Sequence, residues 1–270
     1  MSRMLILQLE RFGRLSAEEK LAVTAMRVRS RRVGSRQDLA REDEAPELDD
    51  VLLAGFACRY VVLPNGRRQV LAYILPGEFC GRRTGNCDLP EHAIATLSAV
   101  KIGTFAREEL SSLAHRFPAL ARALELSRAV EQATLCQWLL NLGQRTALER
   151  TAHMLCELFF RLRCLGLAHE GGCEVPLRQA DIADALAISA VHLNRTLTRI
   201  RRLHIGSFLR NHLLIEDLPA LQKLAGFRPD YLFAGTFGSR GSSPAPRDSR
   251  TRMDASHSSD IGAASPVSGG

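Results

Sequence analysis

The stretch QADIADALAISAVHLNRTLTRIRR, Gln179–Arg202, decides the fold. Ile182, Ala183 and Leu186 stand at i, i+1 and i+4, which places them on one face of a short helix. A tight turn follows at Ala187-Ile188. Ser189 is a good N-cap for a second helix, because its hydroxyl accepts from a backbone N–H that the helix leaves without a partner. On that second helix Leu193, Leu197 and Ile200 form an inner stripe. Val191, Asn194, Arg195, Thr198, Arg199 and Arg202 point outward. Ala183 is small where two crossing helices approach most closely. Two helices, a short turn and a small residue at the crossing describe a helix-turn-helix.

Charge says what such a unit is for. Between Pro176 and His212 six arginines (178, 195, 199, 201, 202 and 210) stand against two aspartates, 181 and 184. Phosphates lining a nucleic-acid groove attract a surface of this kind. A helix presented this way enters the major groove with its N-terminal residues nearest the base edges. A solvated helical hairpin in an ordinary α-domain has the same spacing. The clustered arginines favour the nucleic-acid reading, as do the two short strands expected in LHIGSFLRNHLLIEDL, Leu203–Leu218.

Outward from this stretch the chain divides into regions. Residues 1–116 carry short β-like runs, VLLAGFACRYVVL and RQVLAYILP, separated by PNGRR, in which Asn65-Gly66 is a hairpin signal. With AIATLSAVKIGTF further on, they predict an antiparallel roll of the jelly-roll kind. Residues 117–143 read as one long helix. Ala119, Ala123, Leu126, Val130, Ala133, Gln137 and Leu140 alternate steps of four and three, the seam of a dimer helix or of a helix packed on its own domain. Residues 144–220 hold a further helix and the helix-turn-helix. Residues 221–235 extend it. Residues 236–270, rich in Ser, Gly, Pro and Arg, lack the apolar surface to offset ordering entropy and are expected to be disordered. The fold class is α+β.

Composition bounds the rest. The 270 residues carry a net charge of +7, which permits an acidic partner. At 46% hydrophobic the chain can bury a real core. No apolar run approaches the ~18 residues that span a bilayer. The start, MSRMLILQLERFG, lacks a secretory cleavage site. A cytoplasmic protein without a membrane partner is expected. Seven cysteines in no regular framework fit reduced thiols. Cys80 and Cys87 read as incidental residues of the roll. Cys156, Cys164, His169 and Cys173 match no compact zinc pattern. Phosphate-loop, nucleophile-elbow and H-E-x-x-H motifs are missing, so an enzyme has no positive support.

Three segments, Arg145–Leu158, Val175–Arg202 and Leu213–Leu232, resemble the winged-helix half of Crp/Fnr-family transcription regulators. RQVLAYILPGEFCG, Arg68–Gly81, resembles the glycine-containing turn of that family's cyclic-nucleotide-binding-like roll, and QDLAREDE, Gln37–Glu44, fits the same pattern. The resemblance covers nearly everything from residue 5 to 233. It implies a homodimer joined by the long helix, a sensing roll, a two-fold site on double-stranded DNA and a contact with RNA polymerase. It places Ala190, Val191 and Arg195 at the main base-reading positions. Arg195 suits a bidentate contact to guanine and Val191 a thymine methyl. Gln179, Ser189, His192 and Asn194 would reach phosphates or base edges, and Arg199 and Arg202 the backbone. The family often has glycine where this chain has Ala187, so a left-handed turn there would strain the alanine.

The resemblance also marks a ligand pocket at Gly77, Glu78, Gly81, Arg82, Glu91 and His92. Cyclic-nucleotide binders of the family hold the ribose with a glutamate where this chain has Arg82. They hold the phosphate with an arginine where it has Glu91. A carboxylate facing a phosphate repels it. Tight binding of cyclic AMP is therefore not expected, and the effector stays unknown. An iron–sulfur cluster needs N-terminal cysteines, and the first 57 residues have none. No cofactor is expected. The rival to a sequence-reading regulator is a ligand- or protein-binding module whose degenerate helix-turn-helix no longer binds DNA specifically.

Overall fold

A computed structural model describes residues 3–39, 48–81 and 92–233. Arg82, Cys87, Glu91, the Ala40–Glu44 part of the acidic stretch and the 236–270 tail lie outside them. The chain opens with two helices, α1 (Arg3–Glu10) and α2 (Ala17–Ala25). Ser16 caps α2: its hydroxyl accepts from Glu19 N, and the Glu19 carboxylate accepts from Ser16 N. These helices escape periodicity arguments because each spans little more than two turns.

Among the described residues seven strands follow: β1 (Arg29–Val33), β2 (Leu48–Ala54), β3 (Ala57–Val62), β4 (Arg68–Ile74), β5 (Phe79–Gly81), β6 (Ala93–Thr96) and β7 (Val100–Ala106). They form two antiparallel sheets, ordered β1-β7-β2-β5 and β4-β3-β6. This is the expected roll. Its interior cluster includes Leu52, Ala57, Ile74, Ile94 and Ile102. The β3–β4 hairpin turns as expected at Asn65-Gly66, but only Gly66 takes a positive φ, at 78°. Asn65 instead accepts from Arg67 N through its side chain.

Helix α3 (Arg107–Arg116) leads into the long helix α4 (Pro118–Gly143), with Pro118 in its first turn. Of the expected seam, Ala119 and Leu140 are exposed, Leu126, Ala133 and Gln137 half-buried, and Ala123 and Val130 buried. Ala123 and Val130 are buried within the protomer, as are Leu120, Leu124 and Trp138, where α4 packs on α1, α3, α5 and the last 3-10 helix. The exposed stripe of α4 runs through Glu125, Ala129, Gln132, Cys136 and Leu139, again in steps of four and three. Leu139 is 72% exposed. Both stripes obey the same spacing, so periodicity locates a seam and not the face that packing within the protomer buries.

A capping box at Thr146 and Glu149 starts α5 (Ala147–Cys164), which is buried over nearly its whole length. Short strands β8 (Ala168–His169) and β9 (Gly172–Glu174), helices α6 (Gln179–Leu186) and α7 (Ala190–Arg202), strands β10 (Gly206–Leu209) and β11 (His212–Ile215), and helix α8 (Leu218–Ala225) complete the unit. The third sheet is ordered β10-β11-β9-β8. The 3-10 helix Pro229–Leu232 folds back: Tyr231 donates to Glu157 at 3.0 Å, and Arg11 of the first loop donates to the Leu232 carbonyl at 3.4 Å. Among the described residues no helix is long and apolar enough to cross a membrane.

Candidate nucleic-acid interface

Local chemistry builds the α6–turn–α7 unit. Asp181 accepts from Arg178 N at 2.8 Å and closes the start of α6. Ile182, Ala183, Ala185 and Leu186 are buried, Ala183 at the crossing with 3% exposure. Ala187 ends α6 in the left-handed region, φ 51° and ψ 44°. Ile188 N then closes on the Ala183 carbonyl at 3.1 Å. The alanine adopts the backbone that the family often gives to glycine, so the strained turn forms here without one. Ser189 caps α7 as expected, accepting from His192 N at 3.2 Å.

On α7 the inner stripe is Leu193, Leu197 and Ile200, joined by Thr196, whose hydroxyl donates to the His192 carbonyl. Thr196 is legible only in retrospect, because a threonine bonded to its own helix tolerates burial. The outward side is as expected: Ala190, Val191, His192, Asn194, Arg195, Arg199 and Arg202 are exposed, with Arg201 beside them. Val191 is 64% exposed, a large apolar side chain offered to solvent. Gln179, at the start of α6, is half-buried. Helix α7 contains no acidic residue. Among the described residues Arg195, Arg199, Arg201, Arg202 and Arg210 make no ion pair. The turn between β10 and β11 places Arg210 and Asn211 at positive φ, 48° and 66°, the twist of a two-residue hairpin, and both are exposed. The unit therefore presents a cationic helix beside a cationic hairpin tip.

The inner helix has the opposite electrostatics. Its acids are consumed by the roll. Asp181 accepts from Arg36 at 2.6 Å and lies 3.5 Å from Arg68, while Asp184 lies 3.6 Å from Arg68. Burial holds the Asp184 carboxyl above its usual range, though Arg68 opposes this. Sequence reading does not find these pairs, because the partners lie more than a hundred residues apart.

The pocket residues marked by resemblance are placed as follows. Gly77 has φ +89°, and a Cβ there would meet the Met4 carbonyl of α1 at 2.4 Å, so only glycine fits. Glu78 accepts from Leu75 N at 3.0 Å and from Arg161 of α5 at 2.8 Å. It is thus held within the chain. Gly81 pairs with Asp50 across the sheet. His92 immediately precedes β6, and Arg82 and Glu91 lie outside the described residues. Arg161 is buried between Glu78 and Glu157; burial opposes its charge, but the two carboxylates outweigh it and raise its pKa. Cys80 and Cys156 are buried, and burial pushes both thiols up to about 12. Among the described residues no group of three His, Cys, Asp or Glu side chains is disposed to hold a metal.

A roll, a long helix and a winged helix-turn-helix with an unpaired cationic recognition helix define a DNA-binding transcription regulator. The family model described as a Crp-like helix-turn-helix domain matches residues 149–224. The chain is 31% identical over 185 residues to the nitrogen fixation regulation protein FixK of Bradyrhizobium diazoefficiens, spanning 63% of this chain and 73% of that protein. It is 29% identical over 172 residues to the transcriptional activatory protein AadR of Rhodopseudomonas palustris, spanning 63% and 70%. The structure of FixK2 from Bradyrhizobium japonicum matches with a TM-score of 0.65 at 25% identity, covering 75% of this chain and all of that one (100%). The chain belongs to the Crp/Fnr family of transcription regulators.

Proposed function

We propose that the protein is a cytoplasmic homodimer that reads an inverted-repeat operator without an obligatory cofactor and acts on RNA polymerase from that site. The observation that carries the reading is the acid-free helix α7, with its arginines unpaired and its capped N-terminus exposed. Arg195 contacts guanine through O6 and N7, and Val191 packs on a thymine methyl. Arg199, Arg202 and Arg210 neutralise phosphates, so binding weakens steeply with salt. A second copy covers the α4 stripe that includes Leu139, and places two recognition helices about one DNA turn apart.

Cyclic AMP is not the signal in this reading. The marked exchange of charge at Arg82 and Glu91 disfavours its phosphate, and Glu78 is already engaged by Arg161. The test is selection of random duplexes by the purified protein at moderate salt with no ligand added. Enrichment of an inverted repeat is expected. A pool that stays random would overturn the proposal, as would an enriched single half-site without its repeat.

A further inference from the structure

Helix α6 does two jobs with one carboxylate. Oδ2 of Asp181 closes the helix start on Arg178 N, while Oδ1 accepts from Arg36 Nη1 at 2.6 Å. An end-capping aspartate needs only the first contact and ordinarily sits in water. Here the side chain is 3% exposed, covered by the roll. Arg36 reaches it from a left-handed backbone, φ 64°, which an arginine rarely adopts. Strand β4 adds two neutral contacts. Tyr73 donates its hydroxyl to the Asp181 carbonyl at 3.1 Å, and Gln69 donates to the Ala185 carbonyl at 3.3 Å.

Tyr73 is also where the other helices meet the roll. Its ring stands edge-on to Trp138 of α4, centroids 5.4 Å apart, and its carbonyl accepts from Arg161 of α5 at 3.0 Å. One buried strand residue thus touches the long helix, the following helix and the helix-turn-helix. The side of α6 that the roll grips is not the side offered to DNA: Asp181 is buried while Arg195 on α7 is exposed. Gripping therefore does not occlude the reading helix. It determines where that helix stands.

We propose that Arg36, Arg68 and Tyr73 of the roll are positioning residues for DNA reading, acting through Asp181 to set the recognition helix at the spacing the operator requires. The inference rests on the operator-reading function proposed above. It makes the roll a platform: α6 packs against β4, and α6 and α7 share one packed core.

The test uses the full-length protein and the operator enriched by the wild type. The Arg36→Ala/Arg68→Ala double variant changes no residue of the DNA-binding half. Its affinity for the operator should fall about tenfold, and its tolerance of altered half-site spacing should widen. Binding to random duplex at low salt should stay within about twofold, since every phosphate contact remains. Lysine at both positions should restore part of the loss. Tyr73→Phe, which removes one hydroxyl from an otherwise unchanged ring, runs in parallel and should shift spacing tolerance the same way by a smaller factor. Folded variants with wild-type affinity and spacing preference would overturn the positioning role alone. A fall in operator and random binding by equal factors would overturn it too, since that marks general damage. A wild type that enriches no operator would instead overturn the reading on which the inference rests.

Discussion

The two helices of the reading unit are neighbours of eight and thirteen residues, yet they spend their charges in opposite ways. Helix α7 keeps its cations unpaired and carries no acid. Helix α6 contributes two acids, and the roll's arginines take both. A DNA-binding surface is thereby cleared of the anions that would repel phosphate, and the same anions become the attachment to the roll. The difference teaches that the local excess of positive charge understates the field at the groove, because its negative members are already neutralised on the far side.

The largest effect that would sharpen this contrast is expected for Asp181→Ala. It removes the helix cap and leaves Arg36 and Arg68 without their buried partner, so urea unfolding should show a loss of about 3 kcal/mol. A loss below about 0.5 kcal/mol would mean that the inner helix spends no charge on the roll. Next comes Arg195→Ala, with the opposite profile. Unfolding should stay within about 0.5 kcal/mol of wild type, while operator binding loses about 1–3 kcal/mol and specificity relaxes at one base. Equal losses on all sequences would reduce Arg195 to a phosphate contact.

Between the helices, Ala187→Gly relieves the left-handed turn and should raise stability by about 1 kcal/mol in thermal unfolding. A destabilised variant would show that the alanine methyl packs more than it strains. The smallest effect concerns Arg202→Ala. Affinity should fall similarly on every duplex, and the slope of log affinity against log salt should decrease by about one. An unchanged slope would place Arg202 off the phosphate backbone and narrow the cationic face to the first turns of α7.

Legibility followed range. The α7 reading succeeded because its cap, inner stripe and outward arginines all lie within fourteen residues, where helical spacing alone fixes the faces. The wing hairpin was legible for the same reason, though its partners β8 and β9 were not: strands of two and three residues have no alternation to read. The long helix was legible as a helix, but spacing did not show that Ala123 and Val130 of the marked seam are buried within the protomer while Ala119 and Leu140 are exposed. Glu78 was marked as pocket lining by resemblance; it does line a cavity, and it also accepts there from Arg161, a residue 83 positions later. Nothing near Glu78 in the chain announces that partner.

By itself the sequence determined the helix-turn-helix, its capping, the composition of its outward face and the antiparallel character of the roll, because periodicity and turn chemistry act over a few residues. Only the tertiary structure decided which stripe of α4 stays exposed, how Ala187 bears its strain, and that Arg36, Arg68 and Tyr73 hold the reading unit by Asp181. The first and last of these depend on surfaces brought together from distant parts of the chain, where a charge or an apolar face has many partners to choose from and packing selects one.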